Sequence, residues 1–146
     1  MRAFTYAIHI DRPQDAVWDF MMDRRNSPRW NNLVRKVEVA TPGPVRVGSE
    51  LLVTLDARGT TLQLTSEVWA YEPPHRYGVR NTRNHVTGVF EYRLRPDGQG
   101  TQMEFQCDIH PHGWMWLVLP LLVRDSRARY RDQLGNLKRV VEGHSS

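Results

Sequence analysis

From Leu33 to His110 apolar and polar residues alternate in short runs, and beyond Gly113 the apolar spacing changes to three and four. That change of period limits the possible folds more than any single motif does. Six runs, "LVRKVEVA", "SELLVTLDA", "TTLQLTSEVWAYE", "HRYGVRN", "HVTGVFEYRLR" and "TQMEFQCDIH", read as strands, with Arg58-Gly59 and Pro96-Asp97-Gly98 as hairpin turns. A further strand opens the chain, where Phe4, Tyr6, Ile8 and Ile10 alternate with Ala3, Thr5, Ala7 and His9. Tyr130, Leu134, Leu137 and Val141 then fall on one stripe of a long helix. An antiparallel sheet with one apolar face must bury that face, and this helix is the cover on offer. The expected fold is therefore α+β: a curved seven-stranded antiparallel sheet wrapped round a long C-terminal helix.

Two short helices are expected after the first strand. "DRPQDAVWDFMMD" has Asp11 as a cap and Pro13 in the first turn, where a missing N–H costs nothing. "NSPRWNN" repeats the pattern with Asn26 or Ser27 and Pro28. A chain of 146 residues without repeat, linker or low-complexity segment reads as one domain, 1–146. The net charge is +4, and 18 of the 20 basic residues are arginine. They are dense only in "RDSRARYRDQLGNLKR", where a solvated helix face explains them, so no nucleic-acid partner is expected. The single cysteine, Cys107, permits no intrachain disulfide and suits the cytoplasm.

"HPHGWMWLVLPLLV" admits several readings. Its apolar run, Gly113–Val123, has 11 residues against the roughly 20 that a spanning helix needs. Pro120 is expected to kink a helix there, separating a lid rich in Trp and Met from a packed half. Surface docking on a membrane, helped by Arg124, Arg127 and Arg129, is the alternative. His110 and His112 flank Pro111, on a strand end and a loop, whereas a metal wants three or four converging ligands. No metal is expected. With no P-loop, dinucleotide fingerprint or G-x-S-x-G, no cofactor is expected either.

"IHIDRPQDAVWDFMMDRRNSPRWNNLVRKVEV" resembles the opening of START-like (SRPBCC) helix-grip proteins, especially the polyketide cyclase/dehydratase and lipid-transport group. The corresponding positions are Pro13, Val17-Trp18, Asp23 and Trp30. "GPVRVGSEL", "SEVWAYEPPHRYGVR", "GVFEYRLRPDGQGTQMEF" and "WMWLVLPLL" continue the likeness in order over nearly the whole chain. The resemblance implies a cavity between the concave sheet and the long helix, open near the short helices. It also implies how this chain departs from the group's aromatase/cyclases. Their pocket arginine falls on Val68, their tyrosine on Val34, and two of their aromatic walls on Leu62 and Leu64. Phe90 and Phe105 keep a ring. Without that arginine, stabilisation of an enolate is missing.

The residues point the same way. Alternation puts Leu62, Leu64, Ser66, Val68 and Ala70 on one face of their strand, and Gly88, Phe90 and Tyr92 inward beside Met103, Phe105 and Cys107. The expected function is binding of a hydrophobic or aromatic small molecule, polyketide-, lipid- or quinone-like, in an internal cavity. Trp30, Val34, Leu55, Leu62, Leu64, Val68, Phe90, Met103, Phe105 and Trp116 are the expected ligand contacts. If the chain is a cyclase or dehydratase, Arg80, Tyr130 and Ser66 are its catalytic candidates, and a buried Asp125 is a further acid or base. The alternative is a lipid or quinone carrier or sensor that docks on membranes through the start of the last helix. A homodimer remains open.

Overall fold

The computed structural model describes residues 2–31, 33–57, 59–83 and 86–143, and gives the backbone alone of Arg2, Ala3, Ala57, Arg83, Met115, Trp116, Leu119, Leu122 and Asp125. The strands are β1 (Arg2–Ile10), β2 (Val34–Val39), β3 (Glu50–Ala57), β4 (Thr60–Glu72), β5 (Arg76–Arg83), β6 (Val86–Asp97) and β7 (Gly100–Pro111). They form one antiparallel sheet in the order β1-β7-β6-β5-β4-β3-β2. Helices α1 (Gln14–Met22) and α2 (Ser27–Trp30), with the 3-10 turn Arg24–Asn26 between them, carry the chain from one sheet edge to the other. A second 3-10 segment, Gly113–Val118, leads into α3 (Leu119–Gly143). The helix-grip architecture expected from the sequence is the architecture observed.

The helix starts differ from expectation. The N-cap of α1 is Pro13, which has no side chain to cap with, and the Asp11 N–H instead donates to the Glu142 carboxylate at 2.8 Å. Neither Asn26 nor Ser27 makes a side-chain cap for α2; Asp23 caps the preceding 3-10 turn by accepting from the Arg25 N–H. Pro120 kinks nothing, because it is the second residue of α3, in the first turn, where no hydrogen bond is lost. The lid half foreseen before it is the 3-10 segment.

The main core fills one half of the sheet. Phe4 and Ile10 of β1, Val17, Trp18 and Phe20 of α1, Met103 and Phe105 of β7, and Leu134, Leu137 and Val141 of α3 form one buried cluster. Strands β2, β3 and the first half of β4 contribute nothing to it. The helix α3 lies along β1: Tyr6 donates its hydroxyl to the Arg127 carbonyl at 3.2 Å, and Lys138 donates to the His9 carbonyl.

One irregularity reverses the expected facing of a strand end. Val68 pairs with Val79 and Tyr71 with Tyr77, so Trp69 and Ala70 together oppose Gly78 alone. This bulge turns Tyr71, not Ala70, to the inner face beside Tyr77. Trp69 lies across Gly78 on the outer face, where an added Cβ would meet its ring at 2.6 Å, and the Arg76 guanidinium sits 5.0 Å from the ring centroid. Glycine there admits the indole.

Leu137 is fully buried, so Leu137→Ala should lower stability by about 3 kcal/mol through lost burial and the space left behind. Leu121→Ala, at an exposed position, should change it by no more than about 0.5 kcal/mol. Urea denaturation followed by circular dichroism measures both.

Candidate functional site

Where the core stops, a cavity of about 570 Å³ begins, within the range of small-molecule pockets. Its floor is the inner face of β2–β6. Val34 and Val37, Leu51, Val53 and Leu55, Leu64 and Ser66, then Tyr77, Val79 and Asn81 follow one another across the strands. Gly88, Phe90 and Tyr92 of β6 and Cys107 and Ile109 of β7 close the side nearest the core. Gly88 is small for a reason: a Cβ there would come 2.7 Å from the tip of the Phe90 ring, which folds back over it. The roof is helical, with Met21, Met22, Arg24, Ser27, Trp30 and Asn31 from the α1–α2 segment. Ser126, Arg129, Tyr130 and Gln133 of α3 complete it, at the spacing of one helix face.

Aromatic rings form the wall against the core. The Tyr130 centroid lies 5.1 Å from that of Phe90, 5.2 Å from Phe105 and 6.0 Å from Phe4. Tyr92 stands 4.9 Å from Phe105 and 6.4 Å from Tyr77. Burial pushes the phenols of Tyr77, Tyr92 and Tyr130 well above the ordinary tyrosine value, so they remain protonated donors at neutral pH. Burial likewise pushes the Cys107 thiol up to about 12, with Asp108 adding to the effect, so it is not a thiolate nucleophile at neutral pH. The buried Trp30 Nε1 has no hydrogen-bond partner among the described residues.

Local structure presents the one cation of the α1–α2 segment that faces the cavity. Asp23 caps the 3-10 turn and binds the Arg25 guanidinium at 2.8 Å; that hydrogen bond, with the Arg25 backbone N–H, lowers its pKa to about 2. Arg25 is thereby held outside, and Arg24 lines the cavity. On α3 the Arg129 guanidinium lies 5.6 Å from the Tyr130 ring centroid.

The sequence of residues 1–142 matches a family described as polyketide cyclase/dehydrase and lipid transport. The chain belongs to that family. Among curated proteins none matches it. Solved structures share its helix-grip fold. Ara h 8.0201 aligns with a TM-score of 0.80 at 15% identity, over 97% of each chain. A START superfamily protein from Mycobacterium smegmatis gives 0.77 at 12%, over 96% of this chain and 97% of that one. The di-domain ARO/CYC BexL, from the BE-7585A biosynthetic pathway, gives 0.81 at 19%, over 95% of this chain and 46% of its own.

The cavity brings together Trp30, Val34, Leu55, Leu64, Ser66, Phe90 and Tyr130 of the expected residues. Ser66 accepts a long hydrogen bond, 3.5 Å, from Asn81 Nδ2. Arg80 is elsewhere. Its backbone pairs with Glu67 and its guanidinium binds the Glu67 carboxylate on the outer face, while its neighbours Val79 and Asn81 point in. Val68, Met103 and Phe105 have the expected facing but lie almost fully buried behind the lining, and Leu62 is half-buried outside it. The side chains of Trp116 and Asp125 lie outside the described ones. Sequence reasoning missed Tyr77, Val79 and Asn81, which simple alternation within "RYGVRN" would have found, and Arg24 and Arg129. The i, i+3, i+4, i+7 set Ser126, Arg129, Tyr130 and Gln133 was the available signal for the last.

Three protonated phenols make the fold sensitive to alkali. Their folded pKa values lie above the unfolded value of 10.0. Stability is therefore fully present below pH 10 and falls above it, as the unfolded chain alone releases these protons. Absorbance at 295 nm should show three tyrosines that ionise only as the far-ultraviolet dichroism is lost. Three early, reversible ionisations would contradict the burial of these rings.

Proposed function

We propose that the chain is a cytoplasmic binding protein for an apolar, ring-containing small molecule of the polyketide, lipid or quinone kind. The observation that carries this reading is the cavity itself, lined by aliphatic side chains and rings on a half of the sheet that the main core leaves unfilled. Burying roughly 300 Å² of apolar ligand surface at about 25 cal/mol per Å² contributes on the order of 7 kcal/mol, close to micromolar affinity. The lining favours binding over turnover. Among the described lining residues none is a carboxylate or an imidazole, and the phenols and thiol keep their protons, so no described lining side chain is placed to act as a general base near pH 7. The family's description, which joins cyclisation, dehydration and lipid transport, supports this ligand range.

N-Phenyl-1-naphthylamine, whose fluorescence rises in apolar surroundings, should bind the purified protein with micromolar affinity. Leu64→Trp, which fills the floor of the cavity, should weaken binding at least about tenfold with the thermal midpoint kept. No fluorescence rise, together with no co-purified small molecule in native mass spectrometry, would sink the reading.

A second reading concerns how a ligand arrives. Trp114, Leu117 and Leu121 are 63%, 67% and 64% exposed at the start of the helical segment, and the exposed Arg124 and Arg127 follow. Among the described residues no helix is long and apolar enough to cross a membrane, so this patch would dock on the surface only. The protein should co-sediment with phosphatidylglycerol vesicles and much less with phosphatidylcholine ones, and Leu117→Asp with Leu121→Asp should remove the difference. A double variant that keeps the wild-type preference for phosphatidylglycerol vesicles would discard docking through this patch.

A further inference from the structure

The charged part of the cavity lining has one sign. It holds two exposed guanidiniums, Arg24 and Arg129, beside neutral amides, hydroxyls and three phenols that stay protonated; among the described lining residues it holds no carboxylate. The acids on the sheet that hold arginines point the other way. Glu67 binds Arg80, Asp56 binds Arg35, and Glu91 binds Arg76 and Arg93, all on the outer face. Among the described residues neither Arg24 nor Arg129 is ion-paired: Asp23 feels the charge of Arg24 but binds Arg25, and Arg129 donates a long hydrogen bond to Ser126 at 3.4 Å. They come from two different walls, the turn before α2 and one face of α3, and α2 packs against α3.

We infer that the ligand is an organic acid. Its apolar ring body lies against the sheet, and its anionic group, a carboxylate, sulfonate or acidic enol, lies under the helical roof, held by Arg24 and Arg129. An amine or a neutral hydrocarbon would leave these donors unmatched, and a cation would meet two like charges. The inference rests on the cavity-binding reading and narrows it from apolar ligands in general to acidic ones.

The test compares two probes with one apolar body. 8-Anilinonaphthalene-1-sulfonate is N-phenyl-1-naphthylamine with a sulfonate added, and both are followed by fluorescence titration at low ionic strength. The sulfonate should bind about tenfold more tightly, and the advantage should shrink in concentrated salt. Arg24→Gln and Arg129→Gln together should abolish the preference, bringing the sulfonate's affinity down to that of the neutral probe in the same variant. Arg95→Gln, an exposed arginine on the β6–β7 hairpin, should alter neither. Equal affinities for the two probes, or a preference that survives the double arginine variant, would overturn the inference and leave the cavity reading standing. Failure of both probes to bind would overturn the two together.

Discussion

The structure depends on where α3 lies. Leu134, Leu137 and Val141 press it into the groove formed by β1 and β7, and Lys138 and Glu142 tie its C-terminal half to His9 and Asp11 at the end of β1. A single helix is narrower than a seven-stranded sheet. Seated at one side it closes a core there and leaves the inner face of β2–β5 without a partner. The short α1–α2 segment roofs that remainder but does not fill it, and the cavity is the difference. Nothing beyond the width of the elements and the placement of three aliphatic side chains is required.

Strand alternation then sorts the charge. Glu67, Glu91 and Asp56 each stand at outward positions and find arginines there. Glu91 illustrates the balance: burial opposes its ionisation, but hydrogen bonds from Arg93 and Arg76 at 2.7 and 2.6 Å outweigh that and hold its pKa below the ordinary value. With the sheet's paired acids outside, the described lining side chains of the sheet are aliphatic, aromatic or neutral polar, and the described arginines that reach the cavity do so from the helical roof.

The fold was legible because its signals are local and repeated. Period-two runs, glycine turns and the Tyr130, Leu134, Leu137, Val141 stripe each depend on neighbours a few residues away. The face of a residue was legible for the same reason, as Leu64, Ser66, Phe90 and Tyr130 show. Depth was not. Val68, Met103 and Phe105 share the inner face with cavity residues but are almost fully buried, the last two within the core cluster that α3 closes, and alternation carries no information about what lies opposite. The bulge at Trp69 and Ala70 was hidden too, since one inserted residue leaves an ordinary alternating sequence and shows only when the partner strand is counted. Arg80 was the avoidable error: its own strand, read through Val79 and Asn81, turns it outward.

Because α3 divides the sheet, the residues that hold the fold together and the residues that shape the cavity are largely different sets. Leu137, Met103 and Phe105 belong to the first; Leu55, Leu64, Val79 and Asn81 belong to the second. Exchange of Leu55, Leu64, Val79 or Asn81 for another side chain of similar polarity replaces no member of the main core cluster. Such a chain can drift far in sequence along β3–β5 and keep its shape. The fold itself tolerates wide divergence, since solved backbones coincide with this one at TM-scores of 0.77 to 0.81 while identity stands at 12% to 19%.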